Sequence, residues 1–160
     1  MKIALIGVAL LALAGCSSAP ETPPTPAPTA KTEPAPVKNH TSLFDDAGKI
    51  NATVVPDHIL GMQTLPGGSY AEYDLKGVKY QEFIVDTDSN SQAADELVDM
   101  KHEMAKDPAP EYLSHIGGYF GTYQGKPLYV YAKLHYLAGV VGLPEDKADP
   151  LAIKLAANLF

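Results

Sequence analysis

Four groups of residues have types and spacings that could do chemistry. In Asp86-Thr87-Asp88-Ser89-Asn90, oxygen-bearing side chains stand at alternate positions, the arrangement by which a loop wraps a calcium ion. The rest of that pattern is absent. Ser91 stands where a glycine makes the turn and Leu97 where a bidentate glutamate closes the shell, so the stretch reads as a capped strand-to-helix turn. Asp95, Asp99 and His102, flanked by Glu96 and Glu103, recur at helical spacing and could meet on one metal ion, but a solvated helix face has the same composition. The five histidines form no HxxxH or HxH pair, and no metal or cofactor is expected. Gly117-Gly118-Tyr119-Phe120-Gly121 with Gly125-Lys126 offers the glycines and lysine of a phosphate loop. Only three residues separate Gly121 from Gly125, however, and Pro127 follows the lysine, which makes the stretch a hairpin turn.

The fourth group is aromatic. Alternate side chains of a strand share a face, so Tyr129, Tyr131, Lys133 and His135 point one way while Leu128, Val130, Ala132 and Leu134 point to the core. Tyr119 and Tyr123 likewise share a face of the preceding strand. If the two strands pair in that register, these six residues form an aromatic surface with a polar rim, suited to stacking on sugars or gripping an extended peptide. This is the expected binding face. No triad, metal box or nucleotide loop is visible and no catalytic residue is assigned, so the reading is an interaction or binding module. The alternative is an envelope enzyme whose acid and base, drawn from Glu72, Glu82 and His115, converge only in the fold.

Placement in the cell is read from the amino-terminal end. Lys2 and the apolar run Ile3 to Ala12 have the pattern of a signal peptide, and the run is shorter than the roughly 20 apolar residues of a membrane span. It ends in Leu13-Ala14-Gly15-Cys16, which resembles the lipobox of bacterial lipoproteins, and Cys16 is the only cysteine in the chain. The resemblance implies cleavage before Cys16 and two or three acyl chains on the mature terminus. At about 0.8 kcal/mol per buried methylene, two or more chains anchor nearly permanently. Ser17, in place of an aspartate, implies sorting to the outer membrane, facing the periplasm.

Three segments follow: a signal peptide over 1–15, a lipidated cysteine with a tether over 16–42, and a globular domain over 43–160. Seven of the 14 prolines fall between Pro20 and Pro36, a composition that favours extended, hydrated chain and cannot build a core. The formal charge is −7 and all 12 basic residues are lysines, which argues against a nucleic-acid partner. The expected partners are the membrane, through the lipid, and an envelope protein or glycan. A lone cysteine makes no internal disulfide, so the domain rests on core packing.

The elements that must position these residues are legible in outline. Ala52 to Pro56 reads as an edge strand. Tyr70–Leu75 and Val78–Val85 alternate apolar and polar residues around Lys76-Gly77 and read as a hairpin. Ser89, with Gln92 three residues on, caps a helix whose apolar positions are Ala94, Leu97, Val98, Met104 and Ala105. A second hairpin joins Tyr119–Tyr123 to Leu128–Ala132 through Gln124-Gly125-Lys126-Pro127, a further strand runs from Leu134 to Leu143, and Asp149-Pro150 starts a closing helix. The fold class is α+β, a mainly antiparallel β-sheet with two helices packed on one face. From Tyr70 onward, and most of all in Tyr136 to Pro144, the chain resembles a group of uncharacterised exported bacterial proteins; the likeness supports the fold and transfers no site.

Overall fold

The computed structural model describes residues 36–160. The signal peptide, Cys16 and the tether as far as residue 35 lie outside the described residues. The described chain forms a seven-stranded antiparallel sheet with two helices, which is the α+β class read above. In chain order the elements are β1 (Lys49–Asp57), β2 (Pro66–Leu75), β3 (Val78–Asp86), α1 (Asn90–Glu103), β4 (Glu111–Leu113), β5 (Gly118–Tyr123), β6 (Lys126–Lys133), β7 (Tyr136–Val141) and α2 (Glu145–Ala157). Across the sheet the order is β1-β2-β3-β7-β6-β5-β4. Short 3₁₀ turns at Thr41–Leu43 and Ile59–Gly61 lead into β1 and β2.

Both tight hairpins form as their residues dictate. Lys76 and Gly77 have φ of 54° and 85°, and Gln124 and Gly125 have 48° and 76°, the paired positive angles of a type I′ turn. Helix α1 starts at the expected cap: the Ser89 hydroxyl accepts the Gln92 N–H at 3.1 Å, while Gln92 Oε1 accepts the Asp88 N–H at 2.9 Å. Its buried face is Ala93, Leu97, Met100 and Met104, so the stripe is rotated from the one anticipated, and Ala94 and Val98 face water. Helix α2 begins at Glu145, ahead of the Asp149-Pro150 start, because Pro144 takes the cap position and Pro150 sits exposed inside the helix.

The two helices do not share a face; this corrects the expectation. Helix α1 covers Phe83, Val85, Leu128, Val130 and Leu137, whereas α2 covers Tyr73, Ile84, Tyr129, Tyr131, Ala138 and Val140 on the other side. The reason lies in β6 and β7, the strands that both helices contact, which are buried on both faces and need a cover on each. Tyrosines occupy the α2 side of the sheet, and α2 answers with small residues, Ala148, Ala152 and Ala156, four residues apart on one stripe. Small side chains on the helix let its axis approach a layer of large rings, and close packing results.

The chain engages this body before Leu43. Lys38 Nζ lies 2.9 Å from Asp86 Oδ1, His40 Nε2 lies 2.7 Å from Asp86 Oδ2, and the His40 N–H donates to the buried Ser69 hydroxyl at 2.8 Å. Burial opposes ionisation of Asp86, but the hydrogen bonds from Lys38 and His40 outweigh it and hold the carboxyl below its ordinary range.

Candidate functional site

The six residues of the expected aromatic face are divided by the sheet. A two-residue turn sets Tyr123 opposite Lys126, so every odd-numbered residue of β5 opposes an even-numbered residue of β6. Tyr119 therefore pairs with Val130 on the α1 side, and Phe120 is the residue opposite Tyr129. Tyr129 and Tyr131 are wholly buried beneath α2. Lys133 reaches the carbonyl of Ala156 on α2, and His135, in the turn to β7, lies against Tyr136 with ring centroids 4.1 Å apart. Tyr119 joins a separate cluster, 5.4 Å from the exposed Tyr112 ring and under Lys101 Nζ at 5.0 Å. One member of the six, Tyr123, lines a groove.

That groove lies mainly on the α1 side of the sheet, and its first hollow is also lined by Tyr73 and Tyr80 of the opposite face. A hollow of about 530 Å³ is bounded by Glu72, Tyr80, Lys79, Gln81 and Lys126, among others, and a second of about 330 Å³ by Val55, Leu60, Tyr70, Tyr123 and Gln124, among others. Gln81, Lys126 and Val141 belong to both hollows, which makes them two halves of one depression. The β2–β3 turn explains the grouping: register sets Glu72 beside Gln81 and Tyr70 beside Phe83, and alternation points Tyr70, Glu72, Lys79 and Gln81 to one side. Leu60, at φ 57°, and Gly61, at φ 76°, bring the loop before β2 over the second hollow.

Its chemistry is amphipathic. The Tyr70 hydroxyl donates to Glu72 Oε1 at 3.4 Å, and burial, reinforced by that carboxylate, pushes the phenol up to about 12, so the ring stays neutral. Gln124 Nε2 donates to the Tyr123 hydroxyl at 2.9 Å. Lys79 and Lys126 make no ion pair among the described residues, whereas Lys38, Lys49, Lys147 and Lys154 each do. The groove thus presents tyrosine rings, two amides, a carboxylate and two ammonium groups above a floor that includes Val141.

The three acid–base candidates do not converge. Glu72 lines the groove. Glu82 points to the opposite side, buried under α2, where it accepts the Tyr73 hydroxyl at 3.0 Å; burial pushes it up to about 7, partly offset by that hydrogen bond. The Tyr131 hydroxyl is also buried there and has no hydrogen-bond partner among the described residues. His115, on the turn between β4 and β5, forms a third centre: its Nε2 lies 2.6 Å from Asp149 Oδ1, and the Tyr129 hydroxyl donates to the same oxygen at 2.5 Å. These bonds, from Tyr129 first and then His115, hold the Asp149 carboxyl below its ordinary range. Asp149, read from the sequence as a helix cap, instead fastens α2 to β6 and to the β4–β5 turn.

The remaining sequence candidates have structural occupations. Asp86 is held by Lys38 and His40, and Thr87 donates to the carbonyls of Ser89 and His135 at 2.9 and 2.8 Å. Asp95, Asp99, His102 and Glu103 stand exposed on α1, and Glu96 is half-buried. No group of three or more His, Cys, Asp or Glu side chains converges on a metal position among the described residues. The groove residues Tyr70, Gln81, Lys126 and Val141 went unread as a set, although a hairpin register counted out from Lys76-Gly77 would have joined the first two across β2 and β3. Comparison with known protein families, with curated proteins and with solved structures returns no match.

Proposed function

We propose that the chain is a lipid-anchored lipoprotein of the cell envelope, held through Cys16 in the outer membrane and facing the periplasm, and that its folded domain is a binding module whose ligand lies in the groove. The observation that carries the binding reading is the joined pair of hollows, about 530 and 330 Å³, sharing Gln81, Lys126 and Val141. Concave sites of this size, with apolar and aromatic walls and a few polar groups, are where ligands bury most of their surface. Tyrosine rings and amides suit sugars or an extended peptide, so an envelope glycan or protein is the partner.

The test is retention on a purified cell-wall and envelope-protein fraction by the full chain and by the double variant Tyr70→Ala/Tyr123→Ala. Retention should fall at least about tenfold in the variant, equivalent to the loss of roughly 1.4 kcal/mol of contact, with thermal unfolding little changed. Unchanged retention contradicts the assignment of the groove.

A second reading, an envelope enzyme, rests on the meeting of His115, Asp149 and Tyr129. It is weaker because none of the three lines the groove, and Tyr129 is wholly buried.

A further inference from the structure

The sheet has two unequal edges. At one, β4 is three residues long and begins with the charged Glu111, which leaves little backbone open. At the other, β1 runs nine residues and pairs only with β2 among the described residues, so its outer row of N–H and C=O groups faces no strand. Natural sheets blunt such an edge with bulges, prolines and charges. In β1 those devices sit at the ends. The register shifts between Lys49 and Asn51, and Pro56 has no N–H to donate. Between them Asn51-Ala52-Thr53-Val54-Val55 is uncharged and ends in three β-branched residues, a composition suited to a strand with neighbours on both sides.

We propose that β1 pairs antiparallel with β1 of a second copy of this chain, joining two sheets across a two-fold axis at Thr53. The open window selects the register. With a bulge at one end and a proline at the other, only pairing centred on Thr53 uses the whole window of both copies. It sets Thr53 against Thr53, Ala52 against Val54 and Asn51 against Val55. Charge selects the direction. Antiparallel pairing brings Lys49 of each copy to the Asp57 end of the other, whereas parallel pairing in register sets lysine beside lysine and aspartate beside aspartate. Lys49 already lies 2.6 Å from Asp46, and Asp57 3.0 Å from His58 Nδ1, so the incoming charges join existing pairs. The inference does not depend on the groove's ligand, although Val55 of β1 also borders the second hollow.

Sedimentation equilibrium of the full chain in density-matched detergent should show monomer and dimer. Thr53 is exposed, so Thr53→Lys leaves the core alone while setting two lysines face to face across the axis. Association should weaken about tenfold with thermal unfolding unchanged. Mixing Thr53→Lys with Thr53→Glu should restore a dimer, now of one copy of each. A wild-type chain that stays monomeric, a Thr53→Lys chain that dimerises as tightly as wild type, or a mixture that fails to associate overturns the proposal.

Discussion

Glu82 is the residue whose surroundings differ most from what its type prefers. It is 3% exposed, faces Tyr73 and Tyr131 beneath α2, and burial raises it from the usual carboxyl range to about 7. A carboxyl that holds its proton longer when folded than when unfolded stabilises the fold fully below the unfolded value of 4.5, and that contribution is lost as pH rises through about 7. Asp45, Asp86 and Asp149 act in the opposite direction at lower pH, because their depressed values withdraw stability as pH falls below the ordinary aspartate range. Resistance of the wild type to urea should therefore be greatest near pH 4–5 and smaller at pH 8. Glu82→Gln, which keeps the acceptor for Tyr73, should remove the loss on the alkaline side, worth about 2–3 kcal/mol. An unchanged slope between pH 5 and pH 8 in the variant would contradict this. Asp149 allows a second test. Asp149→Ala removes the shorter of the two bonds on the Tyr129 hydroxyl, which also lies 3.2 Å from His115 Nε2, and costs about 1 kcal/mol, and much less in a Tyr129→Phe background. Equal costs in the two backgrounds would remove the coupling and reopen a chemical role for the trio.

At the scale of elements, turn chemistry was legible and faces were not. Lys76-Gly77, Gln124-Gly125 and the Ser89 cap announce themselves because few residue types satisfy positive φ or an unpaired helix N–H. The face of α1 was ambiguous because Ala94 and Val98 are as apolar as the buried Ala93, and the start of α2 was masked by Pro150, a residue that usually opens helices. Tyrosine misled most. An amphipathic ring reads as surface, yet Tyr129 and Tyr131 are covered by the alanine stripe of α2, and the two-residue turn carries Tyr119 and Tyr123 to the other side. Gly139, inside β7, provides space. A Cβ there would stand 2.3 Å from the Tyr129 carbonyl oxygen and 2.7 Å from the Phe83 ring, its neighbour on β3. Gly139→Ala should lower the unfolding free energy by about 1–3 kcal/mol, read from the shift in urea midpoint at constant slope. A variant as stable as wild type would show that β7 does not pack β3 and β6 in this way.

For the whole molecule, the polarity of the sheet relates attachment to binding. Lys38 and His40 seat on Asp86, the last residue of β3, whereas the wider half of the groove lies by Lys79 and Gln81 near its first. Lys79 and Asp86 are seven steps apart along the strand, roughly 23 Å. The wider half of the groove therefore lies at the end of the sheet away from where residues 38–40 join it, the end that the proposed anchor leaves free. The measurement that tests this account most directly is site-specific photo-crosslinking in intact cells, with the crosslinker at Gln124 on the groove wall and, for comparison, at the exposed Ile153 on α2. The account predicts a discrete adduct from Gln124 and none from Ile153, lost with Tyr70→Ala/Tyr123→Ala and reduced when Cys16→Ser removes the anchor. Adducts that form equally from both positions, or that persist from Gln124 in both variants, would contradict a membrane-held module that binds through this groove.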